Sequence, residues 1–409
     1  MSYRSLASPA AALNQPTRPR AALPALCLTQ ITSWGIVYYA FPVLNPQITM
    51  ATGWSATATT AAFSAALLMS AVAGIRIGRI LDARGPRTVM TVGSGVGTVS
   101  LVIIASAPNL TMFTMGWLLA GFAMASTFYQ PAFAALTRWW APNHVRALTI
   151  VTLAGGLAST VFAPLTAQLA NHFSWRHTYL LLALVLATVT VPVHAYALRG
   201  PWPPAPPPSA TGETPSTAVI TRSRPFLLLA MALTLSAFAT YAVVITLVPL
   251  LLDRGYTAAE AAWALGLGGA GQTLGRTLYA ALARRSSPAL RAAVLIGMGG
   301  VTTAAFALIP GPYGLLAALA VIAGTVRGNL TLLQATAITD RWGAHRYGRL
   351  SGLLAAPTTT ASALAPFAGT ALAAPLGGYP RLFSALALAS AAAAFIAWYT
   401  APAPAARKP

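Results

Sequence analysis

GRILDARGPR, Gly78 to Arg87, is a short charged turn set between two long apolar runs. An Asp, a following Gly and several Arg, with membrane-length segments on both sides, do not suit a catalytic loop of a soluble core. They suit a loop at a membrane face, where the charges are solvated and the flanking runs enter lipid.

Composition agrees. The 409 residues are 56% hydrophobic and 7% charged, where soluble domains carry roughly a quarter charged residues. A net charge of +20 raises nucleic acid as a partner, so the placement of the charges decides. Arg79, Arg84, Arg87, Arg138, Arg146, Arg199, Arg222, Arg224, Arg284, Arg285, Arg291, Arg341, Arg346 and Arg349 fall in or beside every second interval between apolar runs, and the other intervals hold only Arg176, Arg254 and Arg381. That asymmetry is the positive-inside pattern and predicts a multi-pass protein of the cell (inner or plasma) membrane with both termini cytoplasmic. No continuous basic and aromatic surface remains for nucleic acid. Cys27 is the single cysteine, which excludes an intramolecular disulfide and a cysteine metal cluster. The polar segment before Ala22 leads into a run too long for a secretory signal core, which is read as a retained first helix.

Twelve runs of about 20 residues or more can span a hydrocarbon core of roughly 30 Å. They are Ala22–Gln47, Ala56–Ile80, Thr88–Ala107, Leu110–Leu136, Ala147–Ala170, His177–Leu198, Pro225–Leu252, Ala258–Leu282, Ala289–Ile309, Pro312–Ile338, Arg349–Ala374 and Pro380–Thr400. Without period-two alternation they are helices, since lipid offers the backbone no other partner. Between the sixth and seventh lies GPWPPAPPPSATGETPSTAVITRSRP, Gly200 to Pro225, an extended, solvated connection. The expected fold is an all-α membrane protein, with twelve transmembrane helices in two six-helix pseudo-symmetric bundles. Its expected parts are a cytoplasmic tail at 1–21, bundles at 22–199 and 225–400, a cytoplasmic Pro-rich linker at 200–224 and a cytoplasmic tail at 401–409. ALARRSSPALR, Ala281 to Arg291, stands in the second half where LDARGPR stands in the first, a weak echo of a repeat. Small residues crowd helix five at Gly155 and Gly156 and helix eight at Gly266, Gly268, Gly269 and Gly271. They suit either static close packing or a sliding contact between the halves.

Gly78, Asp82, Gly85 and Arg87 resemble the signature between helices two and three of the major facilitator superfamily. Gly53, Trp54 and Ser55 before helix two, PAFAALTRWWAPNHVRAL at Pro131 to Leu148 and SWRHTYL at Ser174 to Leu180 further resemble its monocarboxylate transporter and oxalate/formate antiporter branch, with Ala83 where that loop has a basic residue. The resemblance implies that Arg276 in helix eight holds a substrate carboxylate. It also puts Gln272 where proton-carrying members have an Asp, which leaves proton coupling without its residue. Gly78, Asp82, Gly85 and Arg87 are expected to form a conformational gate, Asp82 pairing with Arg79, Arg84, Arg87 or a helix N-terminus in one state.

An Arg at a helix centre costs about 2.5 to 3.5 kcal/mol to insert, so one kept there is a site hypothesis. Arg327, in GTVRGNLTLLQ, is near the middle of helix ten and too deep to snorkel. It either joins a structural network with Thr325, Asn329, Thr331 and Gln334 or anchors an anion. Arg276 lies roughly 9 Å past the middle of its helix at about 1.5 Å per residue, and either snorkels to the headgroups or meets substrate. In the superfamily resembled, helices one, four, seven and ten line the cavity, which brings in Tyr38, Tyr39, Tyr129, Gln130 and Tyr241 beside Gln272. Asp82, Glu213, Asp253, Glu260 and Asp340, the acidic residues, all lie at loops or helix ends, so a carboxylate for binding cations inside the membrane is missing. His194 in helix six is expected to face away from the cavity.

The functional expectation is a monomeric secondary transporter moving a small organic anion, a carboxylate, by alternating access. A multidrug or metabolite exporter of the same fold, with structural arginines, is the first alternative. A non-transporting receptor or scaffold is the second. Nucleotide-binding, metal-spaced and nucleophile motifs are not found, so no enzymatic activity, catalytic residue, metal or cofactor is expected, and the partners are a small anionic molecule and membrane lipid.

Overall fold

The computed structural model describes residues 19–140, 144–202, 217–342 and 347–400. Glu213, Arg346 and most of the linker lie outside them. Twelve spanning helices follow in order. α1 comprises Ala22–Trp34, a π-helical turn Gly35–Tyr39 and Ala40–Thr52; α2 is Ala56–Arg84 and α3 Pro86–Ser106; α4 comprises Leu110–Thr127 and Tyr129–Trp139; α5 comprises His144–Gly156 and Ala158–His172; α6 is Trp175–Ala197. The second half repeats the count with α7 Arg224–Asp253, α8 Ala258–Arg285, α9 Pro288–Leu308, α10 Tyr313–Thr336, α11 Tyr347–Ala373 and α12 Tyr379–Trp398. Short helices Thr217–Thr221 and Thr339–Trp342 stand outside this set. The protein is an all-α membrane protein of two six-helix bundles.

Local chemistry ends each helix near the predicted place. Gly53 at φ 73° closes α1, and Ser55 accepts from the Ala58 N–H to start α2, so the Gly-Trp-Ser stretch is a C-cap, spacer and N-cap. α1 runs on past Gln47 to Thr52, where the Gln47 amide donates to the Ala170 carbonyl and Thr49 and Thr52 donate to the Pro46 and Ile48 carbonyls. At the other membrane face, Gly85 at φ 77° and Pro86 at the first position of α3 make the tight turn of Gly78–Arg87. Thr257 and Glu260 form a capping box on α8.

The packing is asymmetric about the membrane. On the side away from the linker, one continuous apolar core joins both bundles, with Phe41, Leu44 and Phe63 of the first half against Val244, Val248, Leu251 and Leu265 of the second. On the linker side the cores are separate: Leu26, Met90, Leu136 and Trp139 in the first bundle, and Leu229, Ile296, Leu333 and Leu350 in the second. The halves are therefore closed together at one face and parted at the other.

The glycines of α8 divide between two faces. A Cβ on Gly271 would collide with the Val321 carbonyl, one on Gly275 with that of Thr325, and on α10 one on Gly324 or Gly328 with the carbonyls of Gly268 or Gln272. This seam lies inside the second bundle. Gly268 and Gly271 therefore serve static packing, not a contact between halves. Gly266 and Gly269 face α5, where Thr160 donates to the Gly266 carbonyl at 2.8 Å, and these two do meet the other bundle.

Candidate functional site

The parted face opens a cavity between α4, α5, α7, α8, α10 and α11. Its volume is about 450 Å³, with Tyr129, Gln130, Thr152, Arg276, Thr331 and Gln334 in its wall. A deeper pocket adjoins it and shares Thr331 and Gln334; there Arg327 faces Tyr38, Tyr39, Tyr241 and Gln272. Every candidate binding residue read from the sequence lies in one of these two spaces. They do not form one cluster: Arg276 occupies the shallower space and Arg327 the deeper.

On α1 and α4 the candidate side chains are positioned by breaks in regular helix, whereas Tyr241, Gln272, Arg276 and Arg327 stand on unbroken helices. The π turn of α1 adds a residue to the winding where Gly35 meets the Phe162 ring too closely for any Cβ, and such turns often mark functional sites. It presents Tyr38, 2% exposed, between Trp34, Tyr39 and Phe63 at ring-centre distances of 5.5, 5.1 and 5.2 Å. The Tyr38 hydroxyl has no partner among the described residues. In α4, Pro131 has no N–H for the Thr127 carbonyl. Gln30 of α1 supplies the donor instead, Nε2 reaching the Thr127 and Phe128 carbonyls at 2.6 and 3.3 Å. Phe128 is extended and stacks on Trp34 at 4.0 Å, and the helix restarts at Tyr129. Gln30, Trp34 and Phe128 were not singled out from sequence, yet Pro131 gave the signal, since the carbonyl four residues earlier must be satisfied from elsewhere.

Nε and Nη2 of Arg327 are buried and without a partner among the described residues. Three of the four neighbours suggested for a structural network bond otherwise. Thr325 donates to the Val321 carbonyl, Asn329 to that of Thr325 and Thr331 to the backbone carbonyl of Arg327 itself, each within 3.0 Å. A further space beside Arg327 is lined by Val244, Leu247, Leu265, Phe306 and Ala320, with Thr240, Thr302 and Thr303 as its polar residues.

Arg276 does not snorkel. It is 6% exposed, and its guanidinium crosses to α5, where Nη1 donates to the Thr152 carbonyl, in the same cavity wall as Tyr129 of α4. Gly156 makes the space, since a Cβ there would lie 3.1 Å from Nη1. Beside it α5 breaks. Leu157 N–H turns back to Ala154, which frees the Leu153 carbonyl to accept from Thr273 at 3.3 Å. Gln272 keeps an unpartnered Oε1 among the described residues, and Gln130 points its Oε1 toward Gly74 of α2.

At the linker-side surface Asp82 pairs with Arg138 at the end of α4, not with Arg79, Arg84 or Arg87. Trp202, just past α6, completes the cluster. Its Nε1 donates to the Asp82 carbonyl at 3.0 Å, its ring lies 4.5 Å from the Arg138 guanidinium and its edge 3.2 Å from where a Gly85 Cβ would be. Arg87 donates to the Ala195 carbonyl at 2.9 Å, and the space beside Gly78 is open. The loop arginines fan outward along α2 and α3, so the basic partner comes from the neighbouring helix end. In the second bundle, Arg341 donates to Ala337, Pro288 and Thr400, and burial pushes its guanidinium down to about 10. His194 faces α3, its Nδ1 2.9 Å from the Ser94 hydroxyl.

The sequence pattern of the Major Facilitator Superfamily matches residues 26–353. Among curated proteins, monocarboxylate transporter 13 of Bos taurus is 28% identical over 312 residues, 75% of this chain and 70% of its own length. Monocarboxylate transporter 11 of Homo sapiens is 31% identical over 221 residues, 53% of this chain and 46% of its own. Among solved structures, a bacterial homolog of the human lysosomal transporter Spinster, inward-facing and unoccupied, superposes with a TM-score of 0.73 at 15% identity, over 95% of this chain and 99% of that one. The nucleoside transporter NupG gives 0.69 at 13% identity, over 93% and 99%.

Proposed function

The chain belongs to the major facilitator superfamily of membrane transporters, in its monocarboxylate-transporter-like branch, and from that premise we propose that it moves a small organic anion, a carboxylate, by alternating access. The observation that supports this most is Arg327, whose buried Nε and Nη2 have no partner among the described residues and face three tyrosines and Gln272. A guanidinium offers a carboxylate two parallel hydrogen bonds, and low dielectric strengthens the attraction while making an empty site costly. Arg276 meets the anion first, in the wider space, and Arg327 takes it deeper. The names of the bovine and human relatives point to the same substrate class.

In this reading residues 22–199 and 225–400 rock against each other about the cavity, joined by the linker at 200–224. The linker and both termini are cytoplasmic, as the arginine asymmetry requires, so the parted face is open to the cytoplasm. Gly78, Asp82, Gly85 and Arg87 belong to the gate, with Asp82 held by Arg138 in this state and released in the other. The deciding experiment offers carboxylates and cationic dyes to the purified protein in proteoliposomes. Accumulation or exchange of carboxylates is expected; transport of dyes with carboxylates ignored would reject the anion reading.

A further inference from the structure

α2 and α3 meet each other little, while both pack along α4. The V between them opens on the membrane-facing surface as a groove of about 480 Å³, walled by Ile80 of α2 and Val92 and Val96 of α3 and floored by Leu119 and Phe122 of α4. Thr88 at its mouth and Val96 at its depth are eight residues apart on α3, or roughly 12 Å at about 1.5 Å per residue. Ile80, Val92 and Phe122 are exposed here, so hydrocarbon alone fills the groove in a bilayer. Its linker-side lip differs in chemistry. Arg84 lines the groove there and stands exposed, and among the described residues no hydrogen bond or ion pair engages its guanidinium. Its neighbours are committed, Arg87 to the Ala195 carbonyl and Arg138 to Asp82.

An apolar slot of acyl-chain depth with a free guanidinium at the headgroup level has the two complementarities of one kind of molecule. We propose that this groove is a phospholipid site, in which one acyl chain lies between α2 and α3 on α4 and Arg84 takes the phosphate of an anionic headgroup. The phosphate suits a guanidinium by paired charge-assisted bonds, and the leaflet on the Arg-rich side is where anionic headgroups are met. Arg84 follows Asp82 by two residues, so occupancy reaches the turn that Asp82, Arg138 and Trp202 hold.

The test uses the purified full chain in detergent with added phosphatidylglycerol or phosphatidylcholine of identical acyl chains, read as the midpoint of thermal unfolding. Phosphatidylglycerol is expected to raise the midpoint by several degrees more than phosphatidylcholine. Arg84→Ala removes that excess and keeps the phosphatidylcholine response, while Val92→Trp, which fills the groove, removes both. Arg79→Ala, outside the groove, keeps the excess. The site is overturned by a parent with no excess, by an Arg84→Ala protein that retains it, by an equal loss in Arg79→Ala, by a Val92→Trp protein that responds in full, or by a shift that glycerol phosphate reproduces without an acyl chain.

Discussion

Arg291, at the start of α9, donates to Asp340, just past α10, as Arg138 in the last turn of α4 donates to Asp82 near the end of α2. The two bundles thus keep the same bridge at equivalent places with its charges exchanged. The turn after α8 holds no acid, and its bridge takes the acid from the far partner instead.

Asp340→Ala is expected to destabilise the protein by about 3 kcal/mol, as breaking one side of a buried pair does. Arg291 is 3% exposed and would be left with the Ala283 and Ser286 carbonyls and the Tyr279 ring, none of them charged. Exchanging the two residues, with Arg at 340 and Asp at 291, should recover part of the loss. Thermal unfolding in detergent measures both, and an exchange no better than Asp340→Ala would deny that the pair itself matters.

Asp82→Asn should slow transport several-fold and leave equilibrium substrate binding nearly unchanged, since the carboxylate touches Arg138 and neither space of the cavity. Rates in proteoliposomes and binding in detergent separate the two effects. Weak binding with a normal exchange rate would contradict a gating role.

Arg327→Gln should abolish carboxylate transport and Arg327→Lys leave part of it, because an ammonium keeps the charge without the fork. Both should reach the membrane in normal amount, since removing an unpaired buried charge eases insertion. Uptake of a carboxylate panel, with protein level measured in parallel, decides. Parental rates in Arg327→Gln would return Arg327 to a structural role.

Two glycines of α8 should part company. Gly271→Ala sets a methyl against the Val321 carbonyl, which cannot yield, and should lower stability by about 1 to 3 kcal/mol. Gly269→Ala meets the hydroxyls of Ser159 and Thr160 and, at 3.1 Å, the Gly156 carbonyl, all on α5, so its strain falls on the contact between bundles and it should slow transport with a smaller loss of unfolding temperature than Gly271→Ala. A Gly269→Ala protein with parental rates would remove α5–α8 from the moving surface.

Hydropathy made the twelve helices legible, since a lipid-spanning run must be long and apolar, and the turn at Gly78–Arg87 was readable from Gly85 and Pro86. Depth of charge was readable too, which picked out Arg327. The direction of a side chain around its helix was not. Arg276 has the reach to snorkel, and only the vacancy at Gly156, on another helix, shows why it turns to α5. Local winding was equally hidden, because Gly35–Tyr39 differs from regular helix by a register that no composition records. Asp82 with Arg138 was lost for a third reason: the partners are 56 positions apart, and nearer arginines seemed sufficient.

The glycine seam between α8 and α10 brings the two backbones into direct contact, so the pair behaves as one plank. Arg276 and Arg327 both ride on it, one on each helix. In the rocking proposed above, the backbone spacing between the two arginines is a fixed ruler, while Tyr38, Tyr39 and Tyr129 approach from the opposite bundle as the moving jaw of a calliper. On the proposed anion route, selection by length would belong to the plank and selection by girth to the jaw, and substitutions on the two bundles should change different dimensions of the accepted solute.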